Sequence, residues 1–358
     1  MVAPPTLPVG PGSTVHRADA DSILKRVEWF VVRRLDGLLQ GDYRSLFTGH
    51  GYDLAEVREY QPEDDVRYID WNVTARMSTP YVRQYIEDRE ITAWLLLDVS
   101  PSVDFGTANA RKRDLLIDFT AALARLLTRH GNRVGAVLFS GGVDEVIMPG
   151  GGANTPLRIV HQLTRTDQKR STGVTQLGAV LDRAAQTMKR RSLVFIVSDF
   201  IAAPGWDGPL ARLAQRHEVL SVWLQDPREE FIPAIGPLVL EDSETGQQVY
   251  VDTSDKGFQA RFRALVQERR QTLERTFARH GIDTLRLTTE GDLVQDIVRF
   301  AHARREMRRR GGGAKGALKP FDTGNDLLAD DRPRGLAWRN QTKNPIQESQ
   351  VGLKVGAG

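Results

Sequence analysis

The segment LLLDVSPSVDFG, residues 95–106, places a carboxylate and two hydroxyls directly behind an apolar run. Asp98 ends the run, and Ser100 and Ser102 follow it at alternate positions. In a loop, the two serines can turn their hydroxyls to the same side as the carboxylate. Taken alone, the pattern fits either a set of ligands or a turn whose side chains cap backbone groups. The rest of the chain has to decide between these two interpretations.

Two more oxygen-bearing residues stand where they can reach the same place. Asp199 directly follows the apolar run LVFIVS, and Thr175 lies in STGVTQLG, at the start of a helical pattern that leads towards that run. Sheets of parallel strands bind ligands at the carboxyl ends of their strands. Carboxylate and hydroxyl oxygens suit Mg²⁺ or Mn²⁺. The predicted metal ligands are Asp98, Ser100, Ser102, Thr175 and Asp199.

Short apolar runs alternate with helical patterns from residue 91 onward. The runs lie at 91–97, 134–139, 193–198, 219–224 and 284–288. The helical patterns lie at about 111–129, 175–189, 208–216, 257–279 and 291–303. Continuous apolar strands separated by amphipathic helices indicate a mostly parallel sheet covered on both faces. The predicted fold is α/β, a three-layer doubly wound sheet, with extra antiparallel pairing at 143–147 and a hairpin at 238–251.

The chain divides into four predicted parts. Residues 1–20 are rich in Pro, Gly and Ala and are expected to be disordered. Residues 21–89 form an N-terminal module, with a helix from Asp21 that ends at Gly41 and a polar, extended segment behind it. Residues 90–303 form the sheet domain, and residues 304–358 form a basic tail that is expected to be disordered.

Composition excludes several classes of protein and of site. The chain has no cysteine, so disulfides, thiolate zinc sites and cysteine nucleophiles are excluded. No stretch approaches the roughly 18 apolar residues of a membrane span, and the first residues lack the features of a signal peptide, so we expect a cytoplasmic protein. From Arg304 onward the sequence contains 12 Lys and Arg and 6 Asp and Glu. Because the whole chain has a formal net charge of +3, the residues before Arg304 carry a small net negative charge.

Other functions have weaker support in the sequence. A serine hydrolase needs a GxSxG nucleophile elbow, which is missing. A haloacid-dehalogenase-like, metal-dependent phosphatase needs an aspartate at the position of Ser100 and stays a weaker alternative. PGGGANT, residues 149–155, lacks the ending of a phosphate-binding loop and is expected to be a flexible connector. The arginine run at 304–310 keeps open a nucleic-acid-tethered accessory protein.

The order DVSPS, then Thr175, then Asp199 resembles the metal-ion-dependent adhesion site of von Willebrand factor A-type domains, whose signature is DxSxS, T and D. The segment GHGYDLAEVREYQPEDDVRYIDWNVTARMSTPYVRQYIEDRE, residues 49–90, resembles the one that defines the bacterial “domain of unknown function 58” family. This resemblance covers about residues 40–303. Val103 stands where members of this family usually have methionine. Phe200 stands where many adhesion-type domains have glycine, although the sequence SDF fits this branch. Thr172, three residues before Thr175, is an alternative threonine ligand.

The resemblance implies a non-enzymatic adaptor built on a von Willebrand factor A-like domain. In such domains the hydroxyls typically bind Mg²⁺ or Mn²⁺ directly and the carboxylates often act through water, so a partner's Glu or Asp can complete the coordination. The implied partner is a MoxR-type AAA+ ATPase, in chaperone-like maturation or remodelling of protein complexes. Compared with family members that carry membrane anchors, this chain is expected to be soluble.

Overall fold

A six-stranded β-sheet forms the centre of the protein, seen here in a computed structural model. The structure describes residues 20–35, 56–62, 64, 66, 69–77, 79–84, 91–106, 110–165, 173–244 and 246–309. The strands in chain order are β1 (Glu56–Glu59), β2 (Tyr81–Gln84), β3 (Thr92–Asp98), β4 (Arg133–Phe139), β5 (Val143–Gly150), β6 (Leu193–Ser198), β7 (Glu218–Gln225), β8 (Pro237–Glu241), β9 (Gln248–Asp252) and β10 (Asp283–Thr288). The central sheet has the order β10-β7-β6-β3-β4-β5, and β5 runs antiparallel to β4 while the other neighbours pair in parallel.

Strand β3 shows why the inner strands are apolar at consecutive positions. Leu95 and Leu97 belong to the core on one face of the sheet, whereas Trp94 and Leu96 belong to the core on the other face. Successive side chains of a strand point to opposite faces, so a strand covered on both sides needs an apolar residue at each position. All four side chains are buried. The strand therefore lies in the middle of the molecule, and its carboxyl end carries Asp98.

Helices cover both faces of the sheet. In chain order they are α1 (Ala20–Val27), α2 (Trp71–Met77), α3 (Lys112–Arg129), α4 (Asn154–Arg165), α5 (Leu177–Thr187), α6 (Asp207–Arg216), α7 (Pro227–Glu230), α8 (Lys256–Arg279) and α9 (Leu293–Arg309). Helices α1, α3, α4 and α9 supply the core on one face, and α5, α6 and α8 supply the core on the other. The predicted fold class, a three-layer α/β architecture with a mostly parallel sheet, is confirmed.

The N-terminal helix docks on the sheet domain through apolar and charged contacts. Helix α1 continues as a π-helical stretch, Glu28–Val32, and its buried residues join the core beside α3 and α4. Arg125 Nε donates to Glu28 Oε2 at 2.8 Å, which links this stretch to α3. The predicted end of the helix at Gly41 lies outside the described residues. In the parts of the chain that the structure describes, no helix is both long enough and apolar enough to cross a bilayer.

Two segments differ from the sequence prediction. PGGGANT is not a flexible connector throughout, because Pro149 and Gly150 belong to β5 and Asn154 starts α4, a helix that the prediction lacked. Ile159, Val160 and Leu163 of α4 lie in the core at helical spacing, and this periodicity was the available signal. The last helix was predicted to end at residue 303 but runs to Arg309, since Arg304 Nε donates to Asp283 Oδ2 at 2.8 Å and holds it to the sheet.

Truncation of a central core side chain tests this packing. Leu95→Ala should lower the free energy of unfolding by about 2–5 kcal/mol, because a fully buried leucine leaves a cavity when it is shortened. The matched control is Leu265→Ala on α8, where the leucine is 54% exposed and the change should stay within about 0.5 kcal/mol. Urea unfolding followed by circular dichroism measures both, and equal losses would contradict the described core.

Candidate functional site

The predicted ligands Asp98 and Asp199 lie at the carboxyl edge of the central sheet. Asp98 is the last residue of β3, and Asp199 directly follows β6. The two strands are parallel neighbours, with Leu97 opposite Val197, so both carboxylates come to the same edge. Each residue is no more than 1% exposed. The sheet register alone therefore brings two buried acids together.

Asp98 is held by hydrogen bonds at both carboxylate oxygens. The backbone N–H of Ser100 donates to Oδ1 at 3.0 Å, and the hydroxyl of Ser198 donates to Oδ2 at 2.5 Å. Burial, together with the nearby negative charge of Asp199, raises the pKa of Asp98 to about 7. The two carboxylates thus repel each other in a place where water does not screen them.

Ser100 and Ser102 turn to a common side, as the sequence predicted. Their Oγ atoms are 2.8 Å apart, and both side chains are buried. A short 3₁₀ helix, Pro101–Asp104, produces this arrangement because it folds the chain back directly after Ser100. Val103, the residue that replaces a methionine in the resemblance, packs in the core. The valine is thus a core residue, and the two serine hydroxyls on either side of Pro101 lie next to each other.

Asp199 is fixed by neighbours on several elements. Its Oδ1 accepts a hydrogen bond from the backbone N–H of Ile201 at 3.0 Å, and its carbonyl oxygen accepts one from the Arg269 guanidinium at 2.9 Å. The next residue, Phe200, has a φ of 56°, in the left-handed region that bulky side chains rarely adopt. Its ring packs edge-on against Phe277 with 4.9 Å between centroids, so core packing stabilises the strained backbone beside Asp199.

A buried ion triad, which the sequence analysis missed, supports Asp199. The Nζ atom of Lys112, at the start of α3, is 2.7 Å from Asp199 Oδ2 and 2.6 Å from Glu229 Oε1. Lys112 is completely buried. Burial disfavours the ammonium, but the two carboxylates outweigh that effect and raise the pKa of Lys112. In the sequence Lys112 stands in the charged run ARKRD, where nothing distinguishes it from a solvated lysine.

Thr175 reaches the same edge through loops on either side of it. Its carbonyl oxygen accepts a hydrogen bond from Ala203 N at 2.9 Å, in the loop behind Asp199. Gln176 N donates to Gly141 O at 3.3 Å, in the turn behind β4. The hydroxyl of Thr175 is buried and donates to Oε1 of Glu244 at 3.0 Å. The alternative ligand Thr172 lies outside the described residues.

The donor set determines what this edge can bind. In the described part of the chain, no three or more His, Cys, Asp or Glu side chains are grouped as a metal site. The predicted set has two carboxylates and three hydroxyls. Most of its donors therefore come from serine and threonine, which that grouping of His, Cys, Asp and Glu does not include. All five side chains are buried, and their oxygens are hard ligands of the kind that Mg²⁺ and Mn²⁺ accept. The residues present therefore fit a divalent cation of this class.

Comparison with known proteins places the chain in a sequence family. A family model described as “Protein of unknown function DUF58” matches residues 56–272. “Uncharacterized protein Rv1480” of Mycobacterium tuberculosis (strain ATCC 25618 / H37Rv) is 37% identical over 282 residues, which make up 79% of this chain and 89% of that protein.

Two solved structures are similar at low identity. The conserved hypothetical protein BatB from Bacteroides thetaiotaomicron has a TM-score of 0.34 and 11% identity, over 60% of this chain and 99% of that one. An aerotolerance-related membrane protein from Bacteroides fragilis has a TM-score of 0.38 and 12% identity, over 61% of this chain and 100% of that one.

The ion triad gives a stability test that does not involve a metal. Lys112→Met should lower the free energy of unfolding by about 3–5 kcal/mol, since it leaves the buried carboxylate of Asp199 and the half-buried carboxylate of Glu229 without their counter-ion. Adding Glu229→Gln to Lys112→Met should recover part of the lost free energy of unfolding. The measurement is urea unfolding in the presence of a chelator.

The matched control for this test is Lys25→Met. The Lys25 ammonium is exposed and pairs with Asp21 on the helix surface, so its removal should change the stability by no more than about 1 kcal/mol. If Lys112→Met costs no more than this control, the triad does not support the site.

Proposed function

Because the chain belongs to the family described as “Protein of unknown function DUF58”, we propose that it is a non-enzymatic adaptor that captures an acidic side chain of a partner protein through a bound divalent cation. The observation that carries the proposal is the meeting of Asp98, Ser100, Ser102 and Asp199 at one buried edge of the sheet. Thr175 would complete the set from a third loop. We propose Mg²⁺ or Mn²⁺ as the cation.

The distribution of charge supports a cation at this edge. Lys112 contacts Asp199 and Glu229, and the Arg269 guanidinium binds the carbonyl oxygen of Asp199 and acts on Glu229 as a second positive charge. Asp98 instead accepts bonds from a hydroxyl and a backbone N–H that carry no charge. Buried charges are costly unless an opposite charge compensates them. A divalent cation near Asp98 would compensate this carboxylate.

Some residues of the site would bind the cation, and others would hold those ligands in position. The hydroxyls of Ser100, Ser102 and Thr175 would bind the cation, and Asp98 and Asp199 would bind it through water or directly. Hydroxyl ligands carry no charge, so the bound cation would keep part of its positive charge and attract one more carboxylate. The bound metal supplies that attraction. Ser198 and Lys112 hold the two carboxylates in position for it.

We propose a MoxR-type AAA+ ATPase as the partner, in chaperone-like maturation or remodelling of protein complexes. Support for this step comes from the family resemblance. The sequence has no phosphate-binding loop ending in GK(S/T), so hydrolysis in such a pair would come from the ATPase. The adaptor would then hold its partner or client through the metal, and it would act in the cytoplasm.

The metal step is tested by calorimetry. Asp98→Ala should lower the affinity for Mg²⁺ by at least about 10- to 100-fold, the effect expected when a carboxylate that orients a metal site is removed. Asp182→Ala is the matched control, because this carboxylate pairs with Arg212 on the helix surface at 2.7 Å. Unchanged Mg²⁺ affinity in Asp98→Ala rejects the proposed site.

The partner step needs a purified MoxR-type ATPase from the same organism. Immobilised wild-type protein and Asp182→Ala should retain the ATPase in Mg²⁺ and release it when chelator is added, whereas Asp98→Ala should not retain it. Retention that chelator does not affect would contradict a metal-mediated contact. No retention by wild type in Mg²⁺ would contradict this choice of partner.

A further inference from the structure

The hairpin β8–β9 brings an acidic side chain of the same chain to the proposed site. The hairpin lies between β7 and α8 in sequence, and Glu244 is in the turn at its tip. Oε1 of Glu244 accepts the hydrogen bond from the buried hydroxyl of Thr175 at 3.0 Å. Glu244 is only 8% exposed, although hairpin turns usually face solvent. The acid is therefore directed into the protein at one of the predicted ligands.

The turn has a defined conformation that directs Glu244. Asp242 Oδ1 accepts a hydrogen bond from Glu244 N at 2.9 Å, and Asp242 O accepts one from Gly246 N at 2.7 Å. Gly246 has a φ of 70°, a left-handed conformation that glycine adopts without strain. These contacts are local to the turn, so they fix the direction of the Glu244 backbone independently of the site.

Apolar packing holds the hairpin on the domain close to its turn. Leu240, one residue before the end of β8, packs in a small core with Ile232 and Phe262, the latter on α8. At the base of the hairpin, the hydroxyl of Thr253, directly after β9, donates to the carbonyl oxygen of Gly236, directly before β8, at 2.7 Å. The hairpin is thus closed at its base and packed near its tip, which places Glu244 beside Thr175.

Two hydrogen-bonded pairs of oxygens are close enough to become neighbouring ligands. Ser100 Oγ and Ser102 Oγ are 2.8 Å apart, and Thr175 Oγ1 and Glu244 Oε1 are 3.0 Å apart. These are ordinary hydrogen-bond lengths. Six oxygens at about 2.0–2.1 Å around Mg²⁺ place neighbouring ligand oxygens about 2.9 Å apart, so a cation would need little movement within either pair. Glu244 is outside the predicted set of ligands.

We infer that Glu244 is an internal ligand of the cation, in the position that a partner's acid takes when the partner binds. This inference rests on the proposed function and adds its regulation. A carboxylate in the same chain has a high effective concentration, so it competes with an external acid for the same coordination position. A partner must then displace the Glu244 carboxylate before its own carboxylate reaches the metal.

The test uses Mn²⁺ alone as the probe, with electron paramagnetic resonance for affinity and water-proton relaxation for the number of bound waters. Glu244→Gln should bind Mn²⁺ about tenfold more weakly and show higher relaxivity, because water replaces the lost carboxylate. Acetate added to the Mn²⁺-loaded variant should lower the relaxivity again. Wild type should respond to acetate only at much higher concentration.

The control variant is Glu241→Gln, a carboxylate of the same hairpin that bonds to Gln248 Nε2 at 2.8 Å on the surface. It should behave as wild type in affinity, relaxivity and acetate response. A second measurement needs no variant: in wild type, Mg²⁺ should slow hydrogen exchange at the backbone amides of residues 242–247. This keeps the inference testable if Glu244→Gln does not fold.

The outcomes separate the two proposals. If wild type binds no Mn²⁺, or Asp98→Ala binds it as well as wild type does, the proposed function fails, and the inference fails with it. If wild type binds Mn²⁺ and Asp98→Ala does not, but Glu244→Gln matches wild type in affinity and relaxivity, only the inference is overturned. Unchanged exchange at residues 242–247 on Mg²⁺ binding overturns it as well.

Discussion

The two negative charges that Asp98 and Asp199 bring to the ends of neighbouring strands impose the main constraint on this structure. Parallel pairing of β3 with β6 brings the carboxylates to one edge, where both are buried. The loss of water on burial, and then the repulsion between the two carboxylates, raise the pKa of Asp98 to about 7. A fold that places two acids in this way has to compensate them, and the surrounding residues are arranged accordingly.

The compensation differs between the two carboxylates. Asp199 shares the positive charge of Lys112 with Glu229 from α7. Asp98 accepts its hydrogen bonds from a serine hydroxyl and a backbone N–H, which are dipoles without a net charge. The two sides of the site therefore differ: Asp98, the carboxylate held by uncharged groups, is the one beside the two serine hydroxyls. A cation would gain most on the Asp98 side, and Asp199 would stay oriented by its lysine whether or not a cation is bound.

Glu244 adds a carboxylate of the same chain to this arrangement. Its turn is shaped by contacts of its own, with Asp242 and Gly246, so local structure brings the acid to Thr175. If Glu244 is the internal ligand that we propose, the affinity for a partner would depend on the difference between an internal and an external carboxylate. The site would then stay closed until a suitable acid displaced Glu244.

The sequence by itself determined the layered fold class and the edge of the sheet at which Asp98 and Asp199 lie. Consecutive apolar residues in β3 and β6 required burial on both faces, and the polar residues at their ends had to meet at one edge because parallel strands end together. Tertiary structure alone decided that Lys112, Glu229 and Glu244 belong to the same place, since they come from a charged run, a short helix and a hairpin turn with no common pattern. Hydrophobic periodicity predicts which face of a helix or strand is buried. The partner of a buried charge depends instead on how elements far apart in the sequence pack together. Such a contact leaves no pattern in the residues around either partner.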